Sequence, residues 1–162
     1  MKKAFPRCAA TIAVAVLCLP APAAFAEMPP LETVERMHKA LFDADPATMD
    51  ALLHPDYHGL SLQGPLNHRS IYVETRQKAI DEVKEIKPGD WEVRFLKTET
   101  QIDGNGLAHV WAKYVFYYKG KPDHCGHESY GLFHGPGGWK IISFADTDNA
   151  LGGKSVAAVC PD

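Results

Sequence analysis

The densest chemistry in this chain lies in five consecutive residues, His124-Cys125-Gly126-His127-Glu128, with Asp146 some way behind them. A cysteine beside a histidine can furnish a thiolate nucleophile, and a histidine beside a carboxylate titrates near neutrality, as general acid–base work requires. What these residues can do depends on which of them share a face. Lys119-Gly120 suits a two-residue hairpin turn, with Tyr118 opposite Lys121 and Tyr114 opposite Cys125. That register predicts one face with Ala108, Val110, Ala112, Tyr114, Phe116, Cys125, His127, Ser129 and Phe133. The other face then carries His109, Trp111, Lys113, Val115, His124, Glu128, Tyr130 and Leu132. Pro122 works against this pairing because it cannot donate a ladder hydrogen bond, and a slip of one residue would mix the two sets.

On the first face Cys125 and His127 are candidates for a nucleophilic pair, against a packed core in which Cys125 bonds Cys160. The packed reading leads, because catalytic Cys/His pairs follow no local spacing rule. On the second face His124 and Glu128 offer an acid–base site with Trp111 as an aromatic wall. The competing reading is a solvated or dimer-forming surface in which Lys113 and Glu128 form a cross-strand ion pair. Asp146, before Thr147, is a candidate base at a pocket mouth, or a cap for the turn that follows. Tyr114, Phe116 and Tyr130, with Trp111 and Cys125, are the candidate ligand-lining residues. Trp91 and Trp139 are expected in the core, and His58 is expected to be structural. Alternation sends His124 and His127 to opposite faces, so a regular strand cannot offer both to one ion; no metal or cofactor site is expected.

The elements that must position these residues begin after a leader. Lys2, Lys3 and Arg7 precede an apolar run from Ala9 to Leu19, and Ala24-Phe25-Ala26 has small residues at the two positions read by signal peptidase. The run is shorter than the ~20 residues a membrane span needs. The expectation is cleavage after Ala26, a mature chain from Glu27, and a periplasmic or secreted protein. Cleavage removes three of the 17 basic residues and none of the 20 acidic ones, moving the net charge from −3 to −6. An acidic domain without a basic cluster argues against nucleic acid and against anionic membrane surfaces as partners. Cys8 and Cys18 leave with the leader; Cys125 and Cys160 remain in an oxidising compartment, where pairing is the default.

Pro29-Pro30 opens a helix with Leu31, Val34, Met37 and Leu41 at helical spacing. Asp45-Pro46 reads as an N-cap followed by proline at the first helical position, starting a second helix at 47–53. A short strand follows at 57–63, then a third helix capped by Asn67 and running to Ile86, ended by Lys87-Pro88-Gly89. The period then changes to two. Strands are predicted from Trp91 to Ile102, Leu107 to Tyr118, His124 to His134 and Trp139 to Thr147, with turns at Asp103-Gly104-Asn105-Gly106 and Gly135-Pro136-Gly137-Gly138. The tail 148–162 has no clear period. Residues 27–162 therefore read as one α+β domain: three N-terminal helices packed on a curved antiparallel sheet.

This order, with Ala51-Leu52-Leu53-His54-Pro55-Asp56-Tyr57 and Gly138-Trp139-Lys140-Ile141-Ile142, resembles the nuclear transport factor 2-like superfamily, which includes SnoaL-like cyclases and ketosteroid isomerases. It is most similar to uncharacterised members with a Trp-Ala-x-Tyr-x-Phe strand, a His-Cys-Gly return and a terminal Asp-Thr; here these are Trp111 to Phe116, His124-Cys125-Gly126 and Asp146-Thr147. The resemblance implies a cone-shaped pocket and a homodimer through the sheet. The isomerases' acidic base and hydrogen-bonding pair have no motif that locates them here. The leading functional expectation is binding of a small, largely apolar molecule in the pocket. The alternatives are a SnoaL- or isomerase-like acid–base enzyme and a dimerisation module without a ligand.

Overall fold

The computed structural model describes residues 28–161. The leader, its cleavage at Ala26, Glu27, Cys8 and Cys18 lie outside the described residues. Helix α1 (Pro30–Asp43) enters through Pro29-Pro30, buries Val34, Met37 and His38, and stops where Ala44 turns left-handed at φ 54°. Helix α2 (Pro46–Leu52) begins as its sequence dictates: Asp45 accepts hydrogen bonds from Ala47 N (3.1 Å) and Thr48 N (3.0 Å), and Pro46 occupies the first turn. Strands β1 (Leu53–Gln63) and β2 (Ser70–Thr75) follow, then α3 (Arg76–Glu85), capped by Thr75. The rest is β3 (Trp91–Ile102), β4 (Leu107–Tyr118), β5 (Lys121–Gly135), β6 (Gly138–Ala150) and a short α4 (Val156–Val159).

The six strands form one sheet in the order β2-β1-β6-β5-β4-β3. Three features differ from the sequence reading. The expected helix from Asn67 is half strand: Ile71 and Val73 alternate with Tyr72 and Glu74, a period of two that a search for helical spacing overlooks. The helices are therefore not three at the N-terminus; α3 follows two strands, and a fourth helix forms in the tail. The sheet is mixed rather than antiparallel, because β1 lies parallel to β6. Strand β6 also takes in residues 148–150, which carry no signal of their own and are paired by β1 and β5.

The decisive detail is the β4–β5 hairpin. Its turn is the expected one, with Lys119 and Gly120 at φ 51° and 73° and Tyr118 opposite Lys121. Tyr117 then faces Pro122, but Phe116 faces His124, leaving Asp123 as an extra residue on β5. Pro122 has no N–H for the ladder, and the strand resolves this with a bulge. Beyond it the register is one residue away from the expected one: Tyr114 lies opposite Gly126, Lys113 opposite His127 and Val110 opposite Tyr130. Both face sets change accordingly. Tyr114 and Phe116 now share the concave face with His124, Glu128, Tyr130 and Leu132, while Trp111 and Val115 share the outer face with Cys125, His127 and Ser129. Further bulges at Leu96 and Ile142 help to bend the sheet around α1 and α3. The core between helices and concave face includes Val34, Leu52, Val83, Val110, Leu132 and Ile141, all at 0–1% exposure.

Candidate functional site

Between the concave face and the helices lies a cavity of about 300 Å³. Its polar atoms are organised as tyrosine–carboxyl pairs. At the deep end, Tyr130 on β5 donates its hydroxyl hydrogen to Glu128 Oε2 at 2.9 Å, and His38 Nε2 of α1 lies 2.7 Å from the same hydroxyl. His38 Nε2 is 3.6 Å from Glu128 Oε2. Glu128 and Tyr130 are 3% and 0% exposed, so water cannot stabilise charge here. Burial pushes the Glu128 carboxyl up to about 8, with the Asp146 charge adding to it and the Tyr130 hydrogen bond opposing. Burial also pushes His38 down to about 3. At neutral pH the trio is an uncharged imidazole, a phenol and a protonated carboxylic acid. With Tyr130 donating to Glu128, the imidazole proton belongs on Nε2.

One strand away, Asp146 of β6 lies directly opposite Glu128 in the ladder. Tyr114 donates to Asp146 Oδ2 at 2.9 Å and also approaches Thr147 O at 3.3 Å. Burial raises the Asp146 carboxyl, hydrogen bonding from Ser61 and Tyr114 opposes this, and Asp148 raises it again. Its Oδ1 is enclosed and makes no well-formed hydrogen bond among the described residues. Toward the mouth, Tyr57 of β1 donates to Glu74 Oε2 of β2 at 2.7 Å, and Tyr72 donates to Glu82 of α3. Glu74 is raised mainly by burial. The aromatic wall is continuous: Trp91 meets Phe116 edge-on at 5.6 Å, and Phe116 stacks on His124 at 4.6 Å. Such a site can protonate, deprotonate or hydrogen-bond a guest held against ring faces. Among the described residues no group of three or more His, Cys, Asp or Glu is arranged to hold a metal ion.

Of the residues singled out from sequence, His124, Glu128, Asp146, Tyr114, Phe116 and Tyr130 line this cavity. Trp111, Cys125 and His127 do not. Trp111 is 43% exposed on the outer face and stacks on His127 at 5.2 Å. Cys125 is bonded to Cys160, with Cα atoms 6.2 Å apart, and packs with Val115 and Leu151. This removes the thiolate reading of Cys125 and His127. The expected Lys113–Glu128 pair fails because the register puts the two residues on opposite faces. Trp91 lines the cavity, whereas Trp139 packs against the core, and His58 is exposed. The sequence reading missed His38, Tyr57, Tyr72, Glu74 and Glu82. His38 had a signal: a polar residue next to Met37 on the apolar stripe of α1. Tyr72 and Glu74 were hidden by the helical reading of their segment.

The element order, the bent sheet and its concave face make an α+β fold similar to that of solved nuclear transport factor 2-like proteins. Among solved structures, the chain is similar to an NTF2-like protein of unknown function from Shewanella baltica OS155. The two share 12% identity and a TM-score of 0.53, over 73% of this chain and 89% of that one. It is similar also to an NTF2-like superfamily protein from Salmonella enterica serovar Typhimurium LT2, with 14% identity, a TM-score of 0.55, and 72% and 86% coverage. A third, an NTF2-like protein of unknown function from Pseudomonas putida KT2440, has 12% identity and a TM-score of 0.56, over 72% of this chain and 82% of its own. At these identities the likeness concerns the fold alone. No family model matches the sequence, and no curated protein matches it.

Proposed function

We propose that the protein binds a small, largely apolar molecule in the concave cavity. The observation that carries this reading is a half-open space of about 300 Å³ whose exposed wall is mostly apolar and onto which tyrosine and carboxyl groups converge. A dimerisation module without a ligand has no use for such a space. The reading is tested by native mass spectrometry of the oxidised protein and by thermal melts against a library of small apolar compounds. A ligand at about 100 times its Kd adds about 2.7 kcal/mol of stability and moves the melting midpoint with concentration. No bound mass and no shift across the library would remove the reading. Export is part of the proposal and draws support from the Cys125–Cys160 bond, which suits an oxidising compartment. A homodimer through the sheet is proposed alongside it, to be checked by sedimentation.

A second reading, an acid–base enzyme, is favoured by one feature: Glu128 and Asp146 face each other across adjacent strands, in surroundings that raise both carboxyls. Two interacting acids of different environment divide naturally into proton donor and proton acceptor. In this reading Asp146 removes a proton from carbon beside a carbonyl, Glu128 donates to the carbonyl oxygen, and both protons return on reversal. Exchange of deuterium from solvent into the α-carbon of a cyclic enone tests it. Catalysed exchange that falls about 100-fold or more in Glu128→Gln supports the reading, and no exchange by the native protein ends it.

A further inference from the structure

The internal hydrogen bonds decide what the cavity has left to offer a guest. Tyr57, Tyr72, Tyr114 and Tyr130 each direct their hydroxyl hydrogen to a carboxyl group: Glu74, Glu82, Asp146 and Glu128 in turn. The phenol donors are therefore already engaged. What lines the space besides is five carboxyl side chains and aromatic ring faces, with His38, Ser61, Gln63 and His124 as the remaining polar groups. The lining includes Glu74, Glu82, Asp146 and Asp148 besides Glu128, and among the described residues neither lysine nor arginine lines it. Glu82 and Asp146 lie close enough to raise the affinity of Glu74 for protons, and Asp148 close enough to raise that of Asp146.

A neutral guest that expelled water from these carboxyls would leave little besides the tyrosine hydroxyls to offset their charge, which is unfavourable. A cation would meet both the carboxylates and the rings. The chain itself provides a precedent at the rim, where exposed Lys78 holds its ammonium 3.8 Å from the centre of the Tyr72 ring, beside Glu82 and Glu74. Lys78 offsets charge at that rim. Asp146 and Asp148 line the cavity from β6, with His124 Nδ1 at 3.9 Å from Asp148 Oδ1.

We propose that the guest of this cavity is an organic amine in its cationic form. Its ammonium lies among Glu74, Asp146 and Asp148, and its apolar body rests against Trp91, Phe116 and Phe144. This rests on the ligand-binding reading above and narrows it to one charge class.

The test is calorimetric titration of the oxidised protein with three probes of one shape and different charge: benzylammonium, benzyl alcohol and benzoate. The expected result is benzylammonium binding at least tenfold tighter than benzyl alcohol, with benzoate weakest. Asp146→Asn and, independently, Glu74→Gln should each reduce the preference for the cation severalfold while the alcohol still binds. Equal binding of amine and alcohol, or a preference for benzoate, overturns the charge assignment and leaves the binding reading standing. A cation preference unchanged in both variants also overturns it, since the amine would then be held by the acidic surface. Absence of binding by all three probes counts against the cavity as a binding site and takes the inference with it.

Discussion

The two faces of the β4–β5 hairpin are built from alternate residues of the same strands, yet they have opposite physical characters. The concave face holds Tyr114, Glu128 and Tyr130 at 0–3% exposure, and desolvation there keeps the Glu128 carboxyl protonated at neutral pH. The outer face holds Trp111 and His127 stacked in the open, with Cys125 fastened beneath the C-terminal tail. Composition does not separate them, since both carry histidine, aromatic and small residues. What separates them, among the described residues, is what packs on top: α1 over one face, the short tail over part of the other. The difference teaches that the chemistry of a residue on this sheet follows from its parity along the strand, and parity is set by a single bulge at Asp123.

The most severe way to break this arrangement is at Gly126. A Cβ there would lie 1.7 Å from Thr147 O, a backbone atom of β6 that cannot move aside without disturbing Asp146. Gly126→Ala should cost about 3–4 kcal/mol in a denaturant titration, beyond ordinary overpacking. Gly131→Ala, on the outer face, would meet only the rotatable Ser143 Oγ and should cost less than about 1 kcal/mol. Equal costs would show that the two faces do not differ in rigidity.

Next in size is the Cys125–Cys160 bond, which closes a loop with a sequence separation of 35. Cys125→Ser with Cys160→Ser should lower stability by about 2–3 kcal/mol. Because the bond lies on the outer face, the affinity of any cavity ligand should change less than threefold. A larger change would mean that the two faces are coupled.

The concave face should also have a pH signature. Glu128 is raised from 4.5 to about 8 in the folded protein, so between those values the native state holds a proton that the unfolded state has released. Its contribution to stability is therefore full below about pH 4.5 and is lost as pH rises toward about 8. Asp146 and Glu74 act in the same sense, while His38, lowered to about 3, disfavours folding as pH falls below its ordinary value. Denaturant titrations of Glu128→Gln from pH 5 to 9 should lose most of the alkaline decline. An unchanged profile would mean that Glu128 is solvated. The smallest effect belongs to Trp111→Ala: with the ring 43% exposed, stability of the monomer should fall by less than about 1 kcal/mol and cavity binding should be unaffected.

Much of this was legible in the chain. The Pro29-Pro30 and Asp45-Pro46 starts, the Gly-rich turns, the alternation at 57–63 and the later change to a period of two give α1, α2 and five of the six strands. Half of the cavity was legible too, as Tyr114, Phe116, Glu128, Tyr130, His124 and Asp146. Its other half was not, because Tyr57, Tyr72 and Glu74 come from the β1–β2 edge, whose pairing with β6 is parallel and spans the length of the chain.

Taken by itself, the sequence determined where α1, α2, β3 and β4 begin, because caps, prolines and periodicity act over a few residues. It also determined the turn at Lys119-Gly120, whose two left-handed residues are a local matter. Only the tertiary structure decided which side each residue faces, since Pro122 forces a bulge whose position depends on the partner strand. It alone brought His38, four tyrosines and their carboxyls around one space, because a carboxyl becomes a proton-holding acid only when remote elements remove its water.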